Sequence, residues 1–241
     1  MLTDAAAAGL LADSALIAHG RGEAFDYLLG EMTCRSAREA IRETAAHLLA
    51  AKQPVISLNG NSVALAASEL LACAAVLGCA IEINIYYRTP ERMAALLSTM
   101  EQRKNEATEH FPELKSQIIA VPILGANPDT KIPNLDGPRA NCHSDGIFAA
   151  DVILVPLEDG DRCEALVAMG KTVCVIDLNP LSRTAETSDI TIVDNVTRAM
   201  KLLVAESKKK GKKSIKYNNK KNLKVSILEI KKNLERRAKN A

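Results

Sequence analysis

The chain has 241 residues, with 31 Lys+Arg against 29 Asp+Glu and a formal net charge of +2. Hydrophobic residues make up 47%, charged residues 25% and aromatic residues 3%, with no Trp, which excludes a wholly disordered, fibrous or low-complexity chain. No run approaches about 18 uninterrupted apolar residues, so no membrane-spanning helix is expected, and the opening stretch carries Asp4 and Asp13 without a basic segment, which argues against a secretory leader.

In chain order, a helix is expected over 36–51, where Ala37, Ala40, Ile41, Ala45, Leu48 and Leu49 recur near helical spacing. A strand over 54–61 (PVISLNGN) leads to an almost wholly small and apolar helix over 62–77. A strand over 80–87 is followed by a helix over 90–104 that opens with Pro90 and Glu91. Further strands are expected over 117–124, 151–160, 171–180 and 189–195, with helices over 161–169 and 196–205. Several strands are apolar on both faces, as strands buried between helix layers are. The alternation predicts an α/β fold, a mainly parallel sheet with helices on both faces. Between the third and fourth strands, residues 125–148 hold three Pro and three Gly and read as one long ordered loop, of the kind that is usually functional.

The charge is divided unevenly. Residues 206–241 hold 12 Lys and 2 Arg against 3 Glu, a net of +11, while residues 1–205 hold 17 basic and 26 acidic residues, a net of −9. The expected organisation is a domain over 1–205 and a Lys-rich tail over 206–241. In the tail, Leu223, Ile227, Ile230 and Leu234 allow a short amphipathic helix. The six cysteines form no CxxC, and Cys73 and Cys174 sit in apolar surroundings, so reduced thiols in a cytoplasmic protein are expected. The four histidines show no metal spacing.

Open parallel sheets bind ligands at the carboxyl ends of their strands, and here those ends are polar: Asn59-Gly60-Asn61, Tyr87-Arg88, Glu158-Asp159-Gly160-Asp161-Arg162, Asp177-Leu178-Asn179 and Asp194-Asn195. Asn, Gly and Asp also make ordinary turns, but five such ends together favour a polar-ligand site. GxxxxGK[ST], a complete GxGxxG and GxSxG are all missing. Anions would therefore be held by helix N-termini and by Arg21, Arg88, Arg162 and Arg183, all in turn-like contexts. Glu158, Asp159 and Asp161 could hold Mg²⁺ with substrate phosphates, hold an ammonium group, or merely cap the next helix.

Taken together, SLNGN, IEINIYYRTPER, VPLEDGDRCEALVAMGK, IDLNPLSRTAETSDITIVDN and IAHGRGEAFDYLLGE resemble the archaeal phosphopantothenate synthetase (4-phosphopantoate–β-alanine ligase) family from roughly His19 to Ala205. The resemblance implies a Rossmann-like homodimer and a ligase of coenzyme A biosynthesis that is ATP-dependent and AMP-forming. It would condense 4-phosphopantoate with β-alanine through an acyl-adenylate. Carried over, the ATP site falls on Arg21, Asp177, Leu178, Asn179, Arg183, Thr184, Asn195 and Val196. The acyl substrate is expected at Asn59, Asn61, Arg88 and Arg162, with Arg88 on its phosphate or carboxylate. Arg88, Glu158, Asp159 and Asp161 are the catalytic candidates, with Mg²⁺ at Asp159 or Asp161. Family members usually carry a longer N-terminal helix with an ATP-contacting Arg, whereas the first 15 residues here contain none. Two other classes fit the residues less well. One is a different Rossmann enzyme, such as an NAD-linked reductase. The other is an RNA- or anionic-surface-binding protein acting through the tail, which reads more simply as a solvated appendage.

Overall fold

The computed structural model describes residues 2–209 and 217–240; most of the lysine run that follows Lys209 lies outside them. Helices α1 (Leu2–Ala7), α2 (Asp13–Leu29) and α3 (Arg35–Ala50) come first, then β1 (Pro54–Leu58), α4 (Gly60–Leu77) and β2 (Ala80–Ile83). Next are α5 (Pro90–His110), α6 (Lys115–Ala120), β3 (Ile123–Leu124) and a small antiparallel pair, β4 (Thr130–Lys131) with β5 (Asn141–Cys142). The chain continues through β6 (Val152–Pro156), α7 (Gly160–Ala168), β7 (Thr172–Ile176), α8 (Arg183–Thr187), β8 (Ile190–Ile192), α9 (Val196–Ser207) and α10 (Asn219–Asn240).

The main sheet has six parallel strands in the order β3-β2-β1-β6-β7-β8. The chain runs outward from β1 to β3, returns to place β6 beside β1, and runs outward again. Ile56 lies opposite both Ile81 and Leu154. The reversal between β1 and β6 is the switch point where such sheets take ligands.

Alternate strand residues build two cores, because successive side chains point to opposite faces. Ile56, Leu58, Ile81, Ile83, Leu154, Cys174 and Ile176 pack under α3, α4, α5 and α9. Val55, Ile153, Val155, Val173 and Val175 pack on the other face with Cys163 and Leu166 of α7 and with Ile147. Helix α4 is long and apolar enough by composition to cross a membrane, but 72% of it is buried inside the protein. All six cysteines are buried and unpaired.

Three expectations change, one of them the solvated tail, whose residues 219–240 form a 22-residue helix packed on the body. The first half of the strand expected over 117–124 is the end of α6, with only Ile123 and Leu124 pairing to β2. A helical turn buries Ile118 while leaving Ile119 facing solvent, which suits a sheet edge covered on one side. The stretch 125–148 is not one loop: it folds into the β4–β5 pair, a tight turn at Pro138–Ala140 and a wide helical turn at Ser144–Phe148. Glu82 organises the last of these by accepting the N–H groups of His143 (2.9 Å) and Ile147 (2.7 Å).

Helix α10 lies on α2, α3 and α8. Asn219 donates to the carbonyls of Ala185 and Ser188, both at 2.8 Å, and accepts from Thr191 N at 2.9 Å. Asn222 donates to Ser36 O at 3.0 Å, and Asn233 to Leu29 O at 2.9 Å. Leu223 is buried in a small cluster with Leu29, Leu178, Ala185 and Val193.

Candidate active site

A cleft of about 700 Å³ opens over the carboxyl ends of β1, β2, β6 and β7, a volume in the range of small-molecule sites. Helix α2 forms one wall, through Ala18, His19, Arg21 and Gly22 among others. The other walls come from the segments that follow the strands, namely Asn59–Asn61, Ile85–Tyr87 with Arg92, Leu157–Asp159 with Arg139, and Asp177–Asn179 with Ser182 and Thr184.

The floor lies at the switch point, where Asn59 joins two strands that are distant in sequence. Its side chain accepts from Ser62 N at 3.0 Å and donates to Leu157 O at 2.7 Å, while Ser62 Oγ accepts from Asn59 N at 2.9 Å. This capping box fixes the start of α4 and ties it to the end of β6. Gly60 is required here because a Cβ would lie 2.3 Å from Leu10 O. The first-turn N–H groups at Gly60 and Asn61 have no intrahelical acceptor, so the α4 N-terminus brings partial positive charge to the cleft. Leu157 adopts φ 62°, a left-handed conformation costly for Leu. That turn directs its carbonyl to Asn59 as the chain passes into Glu158.

Beneath the floor runs a buried chain of charges. The Arg162 and Glu158 side chains are both 0% exposed and ion-paired to each other, and Arg162 also donates to Ser57 Oγ at 3.0 Å. Glu158 takes Arg139 as a second partner at 2.9 Å. Arg139 in turn pairs with Asp159 and donates from Nε to Asn84 Oδ1 at 3.2 Å. Asn84 holds the Arg139 segment by donating to Arg139 O (3.2 Å) and Asn141 O (2.9 Å). Burial opposes the charge on Arg139, but Glu158 and Asp159 outweigh it and hold its pKa above the ordinary value. For Arg162, burial prevails over Glu158 and the pKa falls.

On the β7 side, Asp177 orders the following loop by accepting from Asn179 N at 2.9 Å and from the Ser182 hydroxyl. Burial pushes its carboxyl pKa up despite these two bonds. Thr184 donates to Glu158 O at 3.0 Å, joining the β6 and β7 ends.

Of the residues singled out from sequence, Arg21, Asn59, Asn61, Glu158, Asp159, Asp177, Leu178, Asn179 and Thr184 line the cleft. Arg88 does not; its guanidinium donates to Gly125 O. Arg162 lies in the interior under the floor. Asp161 pairs with exposed Arg183, away from the cleft. Asn195 caps α9, accepting from Thr197 N at 3.0 Å and donating to Glu23 at 3.1 Å, and Val196 is buried behind it. Arg21 and Arg162 sit inside helices rather than in turns. Sequence reasoning missed Arg92, Arg139 and Tyr86, while Tyr87, marked at a strand end, does line the cleft. Arg92 was within sight, one helical turn past Arg88 in the same motif, and Arg139 lies in the stretch marked as functional by its length. Among the described residues, no group of three or more His, Cys, Asp or Glu could hold a metal by itself.

The fold and site define a Rossmann-like α/β protein with a ligand cleft at its switch point. The sequence matches the family described as phosphopantothenate/pantothenate synthetase over residues 36–233, and the chain belongs to that family. It is 45% identical over 238 residues to the 4-phosphopantoate–β-alanine ligase of Thermococcus kodakarensis, covering 95% of this chain and 86% of the relative. The protein of the same name from Methanosarcina mazei is 45% identical over 235 residues, covering 94% and 87%. A third, from Thermococcus onnurineus, is 49% identical over 191 residues, covering 79% and 68%.

Proposed function

We propose that this protein is a carbon–nitrogen ligase that joins 4-phosphopantoate to β-alanine, with ATP converted to AMP and diphosphate. The observation that carries this reading is a single cleft with two chemically different halves, in a chain whose relatives bear the ligase name. One half, formed by Arg21, Asp177, Leu178, Asn179 and Thr184, takes ATP, with Arg183, Asn195 and Val196 supporting it from outside the cleft. The other, around Asn59, Asn61 and the α4 N-terminus, takes the acyl substrate, with Arg88 and Arg162 holding the surrounding backbone and Glu158 in place.

The substrate carboxylate oxygen attacks the α-phosphorus of ATP and diphosphate leaves, giving an acyl-adenylate. The β-alanine nitrogen then attacks the acyl carbon, AMP leaves, and the nitrogen loses its proton. Both steps bring anions together, so fixed N–H groups and guanidinium groups must offset charge in the transition state. Asp159, exposed in the cleft, fits a Mg²⁺ bound by one carboxylate and the ATP phosphates. When bound, that ion would offset charge on the leaving diphosphate. A homodimer in the cytoplasm completes the proposal, and sedimentation of the purified protein tests the dimer.

Incubating purified protein with ATP, 4-phosphopantoate and β-alanine should yield AMP in step with 4′-phosphopantothenate. Omitting any one substrate should stop product formation. No AMP from the complete mixture would refute the proposal.

A further inference from the structure

Helix α2 lies across both halves of the cleft. At one end Asn61 of the acyl half donates to Ala15 O at 3.4 Å. Two turns on, Gly22 backs onto Leu178 of the ATP half, whose Cδ1 would lie 3.6 Å from a Cβ there. The cleft-lining residues Ala15, Ala18, His19, Gly22 and Phe25 recur at helical spacing, so they share one face. His19 is the titratable side chain on that face, one turn from Ala15 and one from Gly22. It therefore stands between the two halves, where the substrate carboxylate must meet the α-phosphorus of ATP. The acyl carbon of the adenylate must lie there too.

The carboxylates lining the cleft are committed elsewhere. Glu158 is enclosed between Arg139 and Arg162, Asp159 is paired with Arg139, and Asp177 accepts from Asn179 and Ser182. Arg21, Arg92 and Arg139 are cations with no atom to accept a proton. Among the described residues His19 is the one histidine lining the cleft, and imidazole is the side chain that gains and loses a proton near neutral pH. Its Nε2 lies 3.4 Å from Glu23 Oε1. Glu23 is in turn held by Asn195, whose side-chain amide donates to the same oxygen at 3.1 Å. A carboxylate so placed orients an imidazole and offsets the charge it gains.

We propose that His19 is the base of the second step and takes the proton that the β-alanine nitrogen must lose. This rests on the ligase reading above. β-Alanine enters as the free amine, and its lone pair forms the bond to the acyl carbon. The nitrogen then carries a positive charge and becomes acidic. With Nε2 turned to Glu23, Nδ1 of His19 accepts the proton. The bond from the acyl carbon to the AMP oxygen breaks, and its electron pair leaves on AMP. The imidazolium, partly exposed, returns its proton to solvent before the next turnover.

Adenylate formation needs no base, so the two steps can be read apart. The first is followed by exchange of labelled diphosphate into ATP that depends on 4-phosphopantoate. The second is followed by 4′-phosphopantothenate formed once β-alanine is added. In His19→Ala and His19→Gln, exchange should stay within about 2-fold of wild type while ligation falls about 100- to 10,000-fold, the usual contribution of a general base. Added imidazole should restore ligation in His19→Ala, where the missing ring leaves room for it, more than in His19→Gln. Exchange falling in step with ligation would overturn the proposal, because His19 would then serve ATP or the helix itself. Ligation within about 2-fold of wild type in both variants would overturn it as well. A wild type inactive in both reactions would remove the ligase reading and the base with it, whereas with an active wild type each result bears on the base alone.

Discussion

Replacing Glu158 with Gln separates two roles for a carboxylate at the end of β6, substrate contact and internal counter-ion. Its side chain is 0% exposed and is shared by Arg162, also 0% exposed, and Arg139, 7% exposed. Gln keeps the shape but removes the charge, leaving Arg162 without its ion-pair partner and Arg139 paired with Asp159 alone. Breaking a buried pair by neutralising one partner costs about 3–5 kcal/mol, against a typical total stability of about 5–15 kcal/mol. The unfolded fraction should therefore rise by roughly two to four decades. Urea denaturation of wild type and Glu158→Gln at pH 7 measures this, with an unchanged slope showing that only stability moved. Adding Arg162→Met should recover much of the loss, since removing both partners of a buried pair is far milder than removing one. A loss below about 1 kcal/mol, within the range for exposed pairs, would refute the counter-ion role. Lost turnover with intact stability would then return Glu158 to the chemistry.

Gly60→Ala should destabilise the protein by about 1–3 kcal/mol through overpacking, although Ala is the better helix former, because its Cβ would lie 2.3 Å from Leu10 O; a neutral result in urea would contradict the close approach. Asp151 accepts the N–H groups of Lys52 (2.7 Å) and Gln53 (2.9 Å), joining the starts of β6 and β1. Burial acts to raise its pKa, but those backbone bonds prevail and hold it below 3.8, so its contribution is present above that value and lost as pH falls through the lower folded pKa. Asp151→Asn should thus cost roughly 1 kcal/mol at pH 7, given partial solvent screening, and the gap to wild type should close in strong acid; a gap independent of pH would refute this. A chain ending at Lys209 loses α10 and uncovers Leu29, Leu178 and Val193. It should melt at lower temperature and lose amide protection in α2, and unchanged hydrogen exchange there would show that α10 is dispensable.

The strands near the switch point were legible because both faces are buried, so β-branched runs such as those of β6 and β7 stand out from their surroundings. The edge was not, because β3 pairs through two residues and α6 presents only Ile118 inward. Helix α2 carries no clear apolar stripe and has Gly20 and Gly22 in its middle, so its helical character depends on packing over the sheet end rather than on local pattern. The same limit applied to the arginines. Reading Glu158–Arg162 as a cluster of turn residues could not reveal which would turn inward. Helix α7 does that, placing Arg162 one turn after Glu158 and beneath it while Asp161 and Glu164 face solvent toward Arg183. Arg139 reaches the cleft only because Asn84, distant in sequence, binds the backbone on either side of Ala140.

Net charge says little about how such a site attracts anions. The body carries −9 and the tail +11, yet the arginines around the cleft floor are closely balanced by carboxylates, with Arg139 and Arg162 set against Glu158 and Asp159. Long-range attraction from that quartet is small. Its carboxylates instead hold the guanidinium groups in fixed orientations, and a donor already oriented needs no reorganisation when charge develops next to it. Arg92 reaches the same end with backbone carbonyls as its anchors, which hold it without cancelling its charge. Within one cleft, then, Arg139 offers direction at little net charge, and Arg92 offers both.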